Sequence, residues 1–414
     1  MPIVMTGRTI MISSILVATV LSAMPLDIKG FSVSEPPKNL GAPVNSSAND
    51  FAPTLSPDGT IMIFNSNRGG GYQDLYITRL AEGKWSVPEP LAEVNSPFND
   101  ETPFLSPDGN TLVFSSDRDG SMEMPRNERG QIRVSFDLYV SRKVNGAWSR
   151  PVPLPGDINS EHHEKSPSLS NDGKTLYYNM WPFGDINRSV LVQAEFRGGV
   201  FTNRKLMPAP FNQGHREFSL IPAEDLGGFF FSASRPENIG ALNLYFVSYS
   251  GGKFGTPENL GPKINSDKAD LYLARADQRY YIASSREGGN FDIYSSVVFT
   301  PGKSFQTRAI HFDFDKAVIR PESSTYLKAL SGYLKENPKI KLEIIGHTDL
   351  HGTADYNRQL SLRRAQAVKE YLVREKLEPG RFSVSGAGAS RPVKEGTGSG
   401  IDELNRRTEF KIVE

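Results

Sequence analysis

One short turn motif returns along the first three-quarters of the chain, and its spacing constrains the fold more than any other feature. Pro53-Thr54-Leu55-Ser56-Pro57-Asp58-Gly59 is followed by Pro103-Phe104-Leu105-Ser106-Pro107-Asp108-Gly109 and by Pro167-Ser168-Leu169-Ser170-Asn171-Asp172-Gly173. Weaker copies stand at 220–225 and 273–277. A period of about fifty residues means one supersecondary unit used repeatedly, each copy too small to bury its apolar face alone.

Every copy reads the same way. Ser-Pro-Asp-Gly is a tight turn: Pro presets φ at its second position, and Gly accepts the positive φ that closes it. A short apolar run follows, as in Thr111-Leu112-Val113-Phe114 or Gly228-Phe229-Phe230-Phe231. Next comes a polar loop carrying Arg68, Arg118, Arg235 or Arg286. A second apolar run opens with Asp74-Leu75-Tyr76, Asp137-Leu138-Tyr139, Asn243-Leu244-Tyr245 or Asp292-Ile293-Tyr294. A Gly-bearing turn then precedes Trp85, Trp148, Phe201 or Phe254, and a Pro-rich connector ends the copy. Four short strands per repeat make the blade of a β-propeller, so residues 31–305 are expected to form an all-β propeller of five blades, with six as the alternative. The third copy departs from the pattern after Tyr178. The recurring arginines suit structural hydrogen bonding within the loops better than a ring of binding groups, though both readings stay open.

The chain enters this region in mid-repeat. Pro37-Lys38-Asn39-Leu40 matches the connector Pro257-Glu258-Asn259-Leu260, and the fifth copy stops at Gly302-Lys303-Ser304-Phe305, where that piece is missing. An N-terminal strand completing the last blade would close the ring and remove a sheet edge. The repeats resemble the WD40-like repeats of the TolB propeller family, which implies a domain that binds an envelope protein or a glycan, neither identified by the sequence.

After 305 the pattern changes. Ile310-His311-Phe312-Asp313-Phe314 alternates as a strand does. Residues 321–335 read as a helix with Pro in the first turn and Leu327, Leu330 and Leu334 on one face. A strand at 340–345, a helix at 356–374 and strands at 381–385 and 407–413 complete a βαβαββ plan. Residues 306–414 are therefore expected to form an α/β two-layer domain with one mixed sheet, making the chain multidomain.

Two segments of this part stand out: Gly346-His347-Thr348-Asp349-Leu350-His351-Gly352 and Asn357-Arg358-Gln359-Leu360-Ser361-Leu362-Arg363-Arg364-Ala365. With Phe312-Asp313-Phe314-Asp315 before them and Asn405-Arg406-Arg407-Thr408-Glu409 after, they resemble the signature of OmpA-like domains. That group includes the peptidoglycan-associated lipoproteins and the flagellar-motor stator proteins. The resemblance implies non-covalent binding of peptidoglycan through the diaminopimelate of an uncrosslinked stem peptide, with Asp349 and Arg364 as the holding pair. It also implies that Asn357 orients the loop or donates to the ligand, that Thr348 is one of the ligand-binding residues, and that Phe314 and Asp315 line the rim. Leu350 departs from the family, where many relatives carry a polar residue. The charge logic agrees with that implication, although without the resemblance Asp349 would read as a turn residue and Arg364 as a solvated helix charge. The free end of diaminopimelate carries an ammonium and a carboxylate on one carbon. An acceptor-only carboxylate and a guanidinium able to form two parallel hydrogen bonds complement it.

Composition excludes several other functions. The chain has 47 basic and 47 acidic residues; residues 309–414 hold 18 Lys and Arg against 15 Asp and Glu, so neither part has the dense basic face of a nucleic-acid binder. With no cysteine there is no disulfide, thiolate metal site, Cys nucleophile or lipid-modified Cys. His347, Asp349 and His351 stand at i, i+2 and i+4, a spacing that could suggest a metal site, but they lie in a loop without the helical geometry of a zinc site, and no metal or cofactor is expected. Gly386-Ala387-Gly388 lacks the spacing of a dinucleotide fingerprint, and His162-His163 reads as a solvated connector. At the start, Arg8, an apolar run at 10–21 and Ser22-Ala23 fit a signal peptide over 1–23, with an uncleaved anchor as the alternative. The expected location is the periplasm or envelope. An enzyme acting on wall glycans or peptides, with its active site in the propeller channel, is the rival reading; no nucleophile elbow or acidic cluster in 31–305 favours it.

Overall fold

The computed structural model describes residues 31–413 except 34, 82, 125–132, 183, 277, 300–303, 308 and 314. The segment 1–23 and Phe314 thus lie outside the described residues. The N-terminal region is β-sheet almost throughout, and an α/β domain follows it.

Five antiparallel sheets succeed one another along the chain. The first consists of Asp50–Leu55, Ile61–Ser66 and Asp74–Ala81, with Lys84–Trp85 and Glu89–Pro90 both pairing the third strand. The second and fourth repeat this plan. In the third, where the sequence departs from the repeat, the outer strand is the continuous Val200–Leu206. The first strand of each sheet contacts the first strand of the next, and Asp270–Ala276 of the fifth contacts Asp50–Leu55 of the first. Apolar cores lie between successive sheets; one joins Phe64 and Tyr76 to Tyr281 and Ile293, across the fifth and first.

Local chemistry explains the recurring parts. In the first turn Gly59 has φ +69°. Ser56 Oγ accepts from Ile61 N at 2.9 Å, and Asp58 Oδ1 accepts from Thr60 N at 3.0 Å. Every first strand carries a bulge at the same place, with Ala52, Thr102, Ser166, Ser219 and Tyr272 in left-handed backbone (φ 49–55°). Such bulges bend a strand and sharpen its twist. The five inner strands enclose a cavity of about 270 Å³ lined largely by Pro, Leu, Ile and Phe side chains.

The recurring arginines form a clasp. Arg286 Nη2 sits 2.7 Å from Asp270 Oδ1 and donates to Ile264 O at 2.7 Å. Arg68 pairs with Asp50, Arg118 with Asp100 and Arg235 with Glu217, and all four carboxylates are fully buried. The third sheet has Glu164 in the acid's place but Pro182 in the arginine's. Burial pushes Glu164 up to about 8, opposed by the Ser160 hydrogen bonds and by Arg204; burial raises Glu217 too, although it keeps its arginine. Beside Glu164, His163 is not solvated: burial first, then Lys165, pushes it down to about 4.

The N-terminal segment joins the fifth sheet. Lys38–Asn39 pairs Ser295 and Tyr294 in the register that Glu258–Asn259 takes on Phe246 and Tyr245 one sheet earlier. Phe31 and Val33 are buried in the core between the fourth and fifth sheets.

The C-terminal domain contains β1 (Phe305–Thr307), α1 (Ser324–Glu336), β2 (Lys341–His347), α2 (Ala354–Arg374), β3 (Phe382–Gly388), α3 (Ser399–Asn405) and β4 (Thr408–Val413). Sheet order is β1-β4-β2-β3; β2 and β3 run parallel, and β4 is antiparallel to both its neighbours. This corrects the expected first strand. Ile310–Phe312 does not enter the sheet, and Phe312 makes only an isolated bridge to Ile319. Phe305 takes the edge instead because its ring stacks on Phe410 at 5.0 Å and Thr307 is buried two residues on. Phe305 therefore belongs to the C-terminal sheet, not to the last repeat. Helix α3 has no counterpart in the expected plan.

The two regions share a core. Val297 and Phe299 are buried together with Tyr326, Leu330 and Tyr333 of α1. The Phe299 ring stacks on Tyr333 at 4.6 Å, and Lys263 pairs with Glu336 at 2.7 Å.

Candidate functional site

The site begins where β2 ends. Gly346 and Gly386 let α2 lie close against β2 and β3: a Cβ would fall 2.2 Å from Ser361 O at Gly346 and 2.5 Å from Arg358 O at Gly386. Gly388 N donates to Ser361 Oγ at 2.9 Å. The Gly-Ala-Gly segment is thus a seat for a helix. Between β2 and α2 the loop 348–353 is tied at each end. Thr353 Oγ1 caps α2 by accepting from Tyr356 N at 3.3 Å. Asn357, almost fully buried, donates from Nδ2 to His351 O at 2.8 Å.

Five of the six expected site residues, Asp349, Arg364, Asn357, Thr348 and Asp315, line one cavity of about 460 Å³; the sixth, Phe314, lies outside the described residues. Asp349 Oδ1 accepts from His351 N at 3.1 Å, and its Oδ2 lies 2.9 Å from Arg406 Nη1. Arg364 rises from α2 with its guanidinium 5.1 Å from the Phe312 ring centre, and its Nε donates to Lys316 O at 3.1 Å. Burial and, next, Arg406 hold the Arg364 guanidinium below its usual range, while Asp349 and Asp315 oppose that shift. Asp315, in left-handed backbone, accepts a short hydrogen bond from the Tyr356 hydroxyl. Thr348 is buried, its N–H on Gly388 O at 3.0 Å and its Oγ1 without a partner among the described residues. Asn357 spends its amide on the loop backbone, so it orients the loop.

The three side chains weighed as metal ligands point apart. His347 Nε2 is 3.2 Å from Glu409, His351 Nε2 is 3.1 Å from Asp402, and Asp349 faces Arg406. Burial, and then Arg407, pushes His347 down to about 4, so it is neutral at neutral pH. Sequence reasoning did not assign Arg406, Tyr356 or Phe312 to the site. Arg406 was visible only inside the Asn-Arg-Arg segment, 57 residues from the carboxylate it meets. The cavity thus combines four guanidinium groups (Arg320, Arg364, Arg406 and Arg407) and two carboxylates (Asp315 and Asp349) in one concave space, suited to a ligand end bearing both charges.

Comparison with known proteins places this domain. Residues 311–406 match the sequence profile described as the OmpA family. Among similar proteins, outer membrane porin F of Pseudomonas fluorescens is 39% identical over 103 residues, 25% of this chain and 32% of its own length. The peptidoglycan-associated lipoprotein of Pseudomonas aeruginosa is 36% identical over 102 residues, 24% of this chain and 60% of its own. The chain spans only about a third of the porins it matches. The crystal structure of the peptidoglycan-associated lipoprotein from Burkholderia pseudomallei aligns at 29% identity over 26% of this chain and 91% of that one, with a TM-score of 0.25.

Proposed function

We propose that the C-terminal domain holds the diaminopimelate end of an uncrosslinked peptidoglycan stem peptide, and so anchors an exported protein to the cell wall without covalent chemistry. The observation that carries this reading is that Asp349 and Arg364 line the same cavity of an OmpA family domain. Asp349 accepts from the ligand ammonium, and Arg364 offers the ligand carboxylate the nitrogens it does not spend on Lys316. The ammonium takes the place of Arg406 on Asp349, which turns a second cation toward the ligand carboxylate. The relatives named peptidoglycan-associated lipoprotein and outer membrane porin support an envelope location. We read the N-terminal region as a five-bladed β-propeller that presents a protein- or glycan-binding surface. The cycle of contacts among the five first strands supports that reading, and the apolar lining of the axial cavity favours binding over catalysis.

The test is co-sedimentation with peptidoglycan sacculi, with calorimetry on a free diaminopimelate-containing peptide. Asp349→Ala and Arg364→Ala each remove a charge-assisted hydrogen bond worth about 1.5–3 kcal/mol, so affinity falls roughly ten- to hundredfold. Arg364→Lys keeps the charge without the planar fork and restores binding in part. Folded alanine variants that bind like the wild type would sink the assignment.

A further inference from the structure

His311 stands in the walls of two cavities. One is the site just described; the other, of about 530 Å³, lies between the N-terminal region and the C-terminal domain. The approach depends on a glycine. Gly83 has φ +77°, and a Cβ there would fall 2.7 Å from His311 Nε2. Only the bare α-carbon lets the outer hairpin of the first sheet rest on the His311 ring, and that hairpin carries Lys84 and Trp85 into the cleft beside it.

The cleft wall has a consistent chemistry. The half-buried Trp85 ring is braced edge-on by Tyr281, with centroids 6.2 Å apart and planes at 79°. Lys38, Lys84 and Arg279 border it, and no carboxylate among the described residues forms an ion pair with any of them. Of the two acids in the wall, Asp58 accepts from Ser56 and Thr60 within its own turn, and Glu322 lies 4.0 Å from Arg320. The cleft therefore offers a rigid aromatic face ringed by cations, open to solvent and adjoining the diaminopimelate cavity.

We infer that this cleft is a second subsite for the same wall fragment, so that the N-terminal region itself takes part in gripping peptidoglycan. The inference rests on the diaminopimelate reading of the first cavity. In a stem peptide the residue before diaminopimelate is a glutamyl unit with a free carboxylate, and the peptide begins on a sugar bearing a lactyl group. A fragment fixed by its diaminopimelate and running past His311 brings that carboxylate to the cations and a sugar face to the Trp85 ring. Large, rigid aromatic surfaces carry much of the energy in such contacts.

The experiment compares two ligands on the full chain by calorimetry: the free tripeptide ending in diaminopimelate, and the same tripeptide on its N-acetylglucosaminyl–N-acetylmuramyl disaccharide. The wild type should bind the disaccharide form about tenfold more tightly. Trp85→Ala should bring the disaccharide form down to the tripeptide level, whereas Lys84→Glu, which repels the glutamyl carboxylate that both ligands carry, and Asp349→Ala should each weaken both ligands. Equal affinities in the wild type, or a folded Trp85→Ala chain that keeps the difference, would overturn the second subsite while leaving the first intact. A wild-type chain that binds neither ligand would overturn the diaminopimelate reading and this inference with it.

Discussion

Replacing Arg286 by methionine tests how the five sheets are held. The substitution keeps most of the stem that packs near Tyr294 and removes the guanidinium. Three contacts go: Nη2 to Asp270 Oδ1 at 2.7 Å, Nη2 to Ile264 O at 2.7 Å and Nε to Ser284 Oγ at 2.9 Å. The guanidinium also lies 4.9 Å from the Tyr294 ring centre. Asp270 stays fully buried without its countercharge, although Ser266 N, Ser266 Oγ and Ser284 Oγ still donate to it. Breaking one side of a buried pair costs about 3–5 kcal/mol, and the lost ring contact about 0.5–1 kcal/mol more. The three surviving donors draw the total toward about 3–4 kcal/mol. The third sheet offers a parallel: with proline in the clasp arginine's place, burial raises Glu164 to about 8 against the pull of Arg204. Arg286→Met should therefore lose stability at pH 7 in urea unfolding, lose less at pH 5, and recover roughly half in the double variant Asp270→Asn/Arg286→Met. A loss under about 1 kcal/mol with no pH dependence would refute the clasp as a structural element.

Glu164 itself predicts a pH effect. Its folded value is raised to about 8, so the folded chain keeps a proton that the unfolded chain has released, and stability falls as pH rises through that window. His163 and His347, pushed down to about 4, act with the opposite sign but are complete by about pH 6.5. Between about pH 6.5 and 8.5 the melting temperature should thus fall by a few degrees, and Glu164→Gln should flatten the profile. Gly346→Ala sets a methyl 2.2 Å from Ser361 O; displacing α2 should cost at least about 1–3 kcal/mol and weaken sacculus binding, read by chemical denaturation and co-sedimentation. Phe299→Ala empties a fully buried site stacked on Tyr333 and should cost about 3–5 kcal/mol; calorimetry should resolve separate transitions for the two regions in the variant and a single coupled transition in the wild type.

Sequence alone determined the features set by neighbours along the chain. Ser56-Pro57-Asp58-Gly59 is a turn wherever it stands, because its φ preferences and side-chain acceptors act within five residues. Leu327, Leu330 and Leu334 could be assigned to one buried helix face from their spacing, and all three are buried. That Asp349 and Arg364 belong to one site was legible only through the resemblance of their segments to a known signature; the loop and the first turns of α2 that separate them place both in the wall of one cavity. Tertiary structure decided what depends on distant partners. Alternation marked Ile310–Phe314 as a strand but could not say that Phe305, facing Phe410, would win the sheet edge. Pro182 in the place of an arginine has no meaning until Glu164 is seen buried opposite it. Arg406 reaches Asp349 only because β4 lies beside β2, and His311 borders both cavities only because Gly83 lets a distant hairpin close on it. Local dihedral preference and periodicity act over a few residues, whereas packing and countercharge act through space, and folding alone brings those groups together.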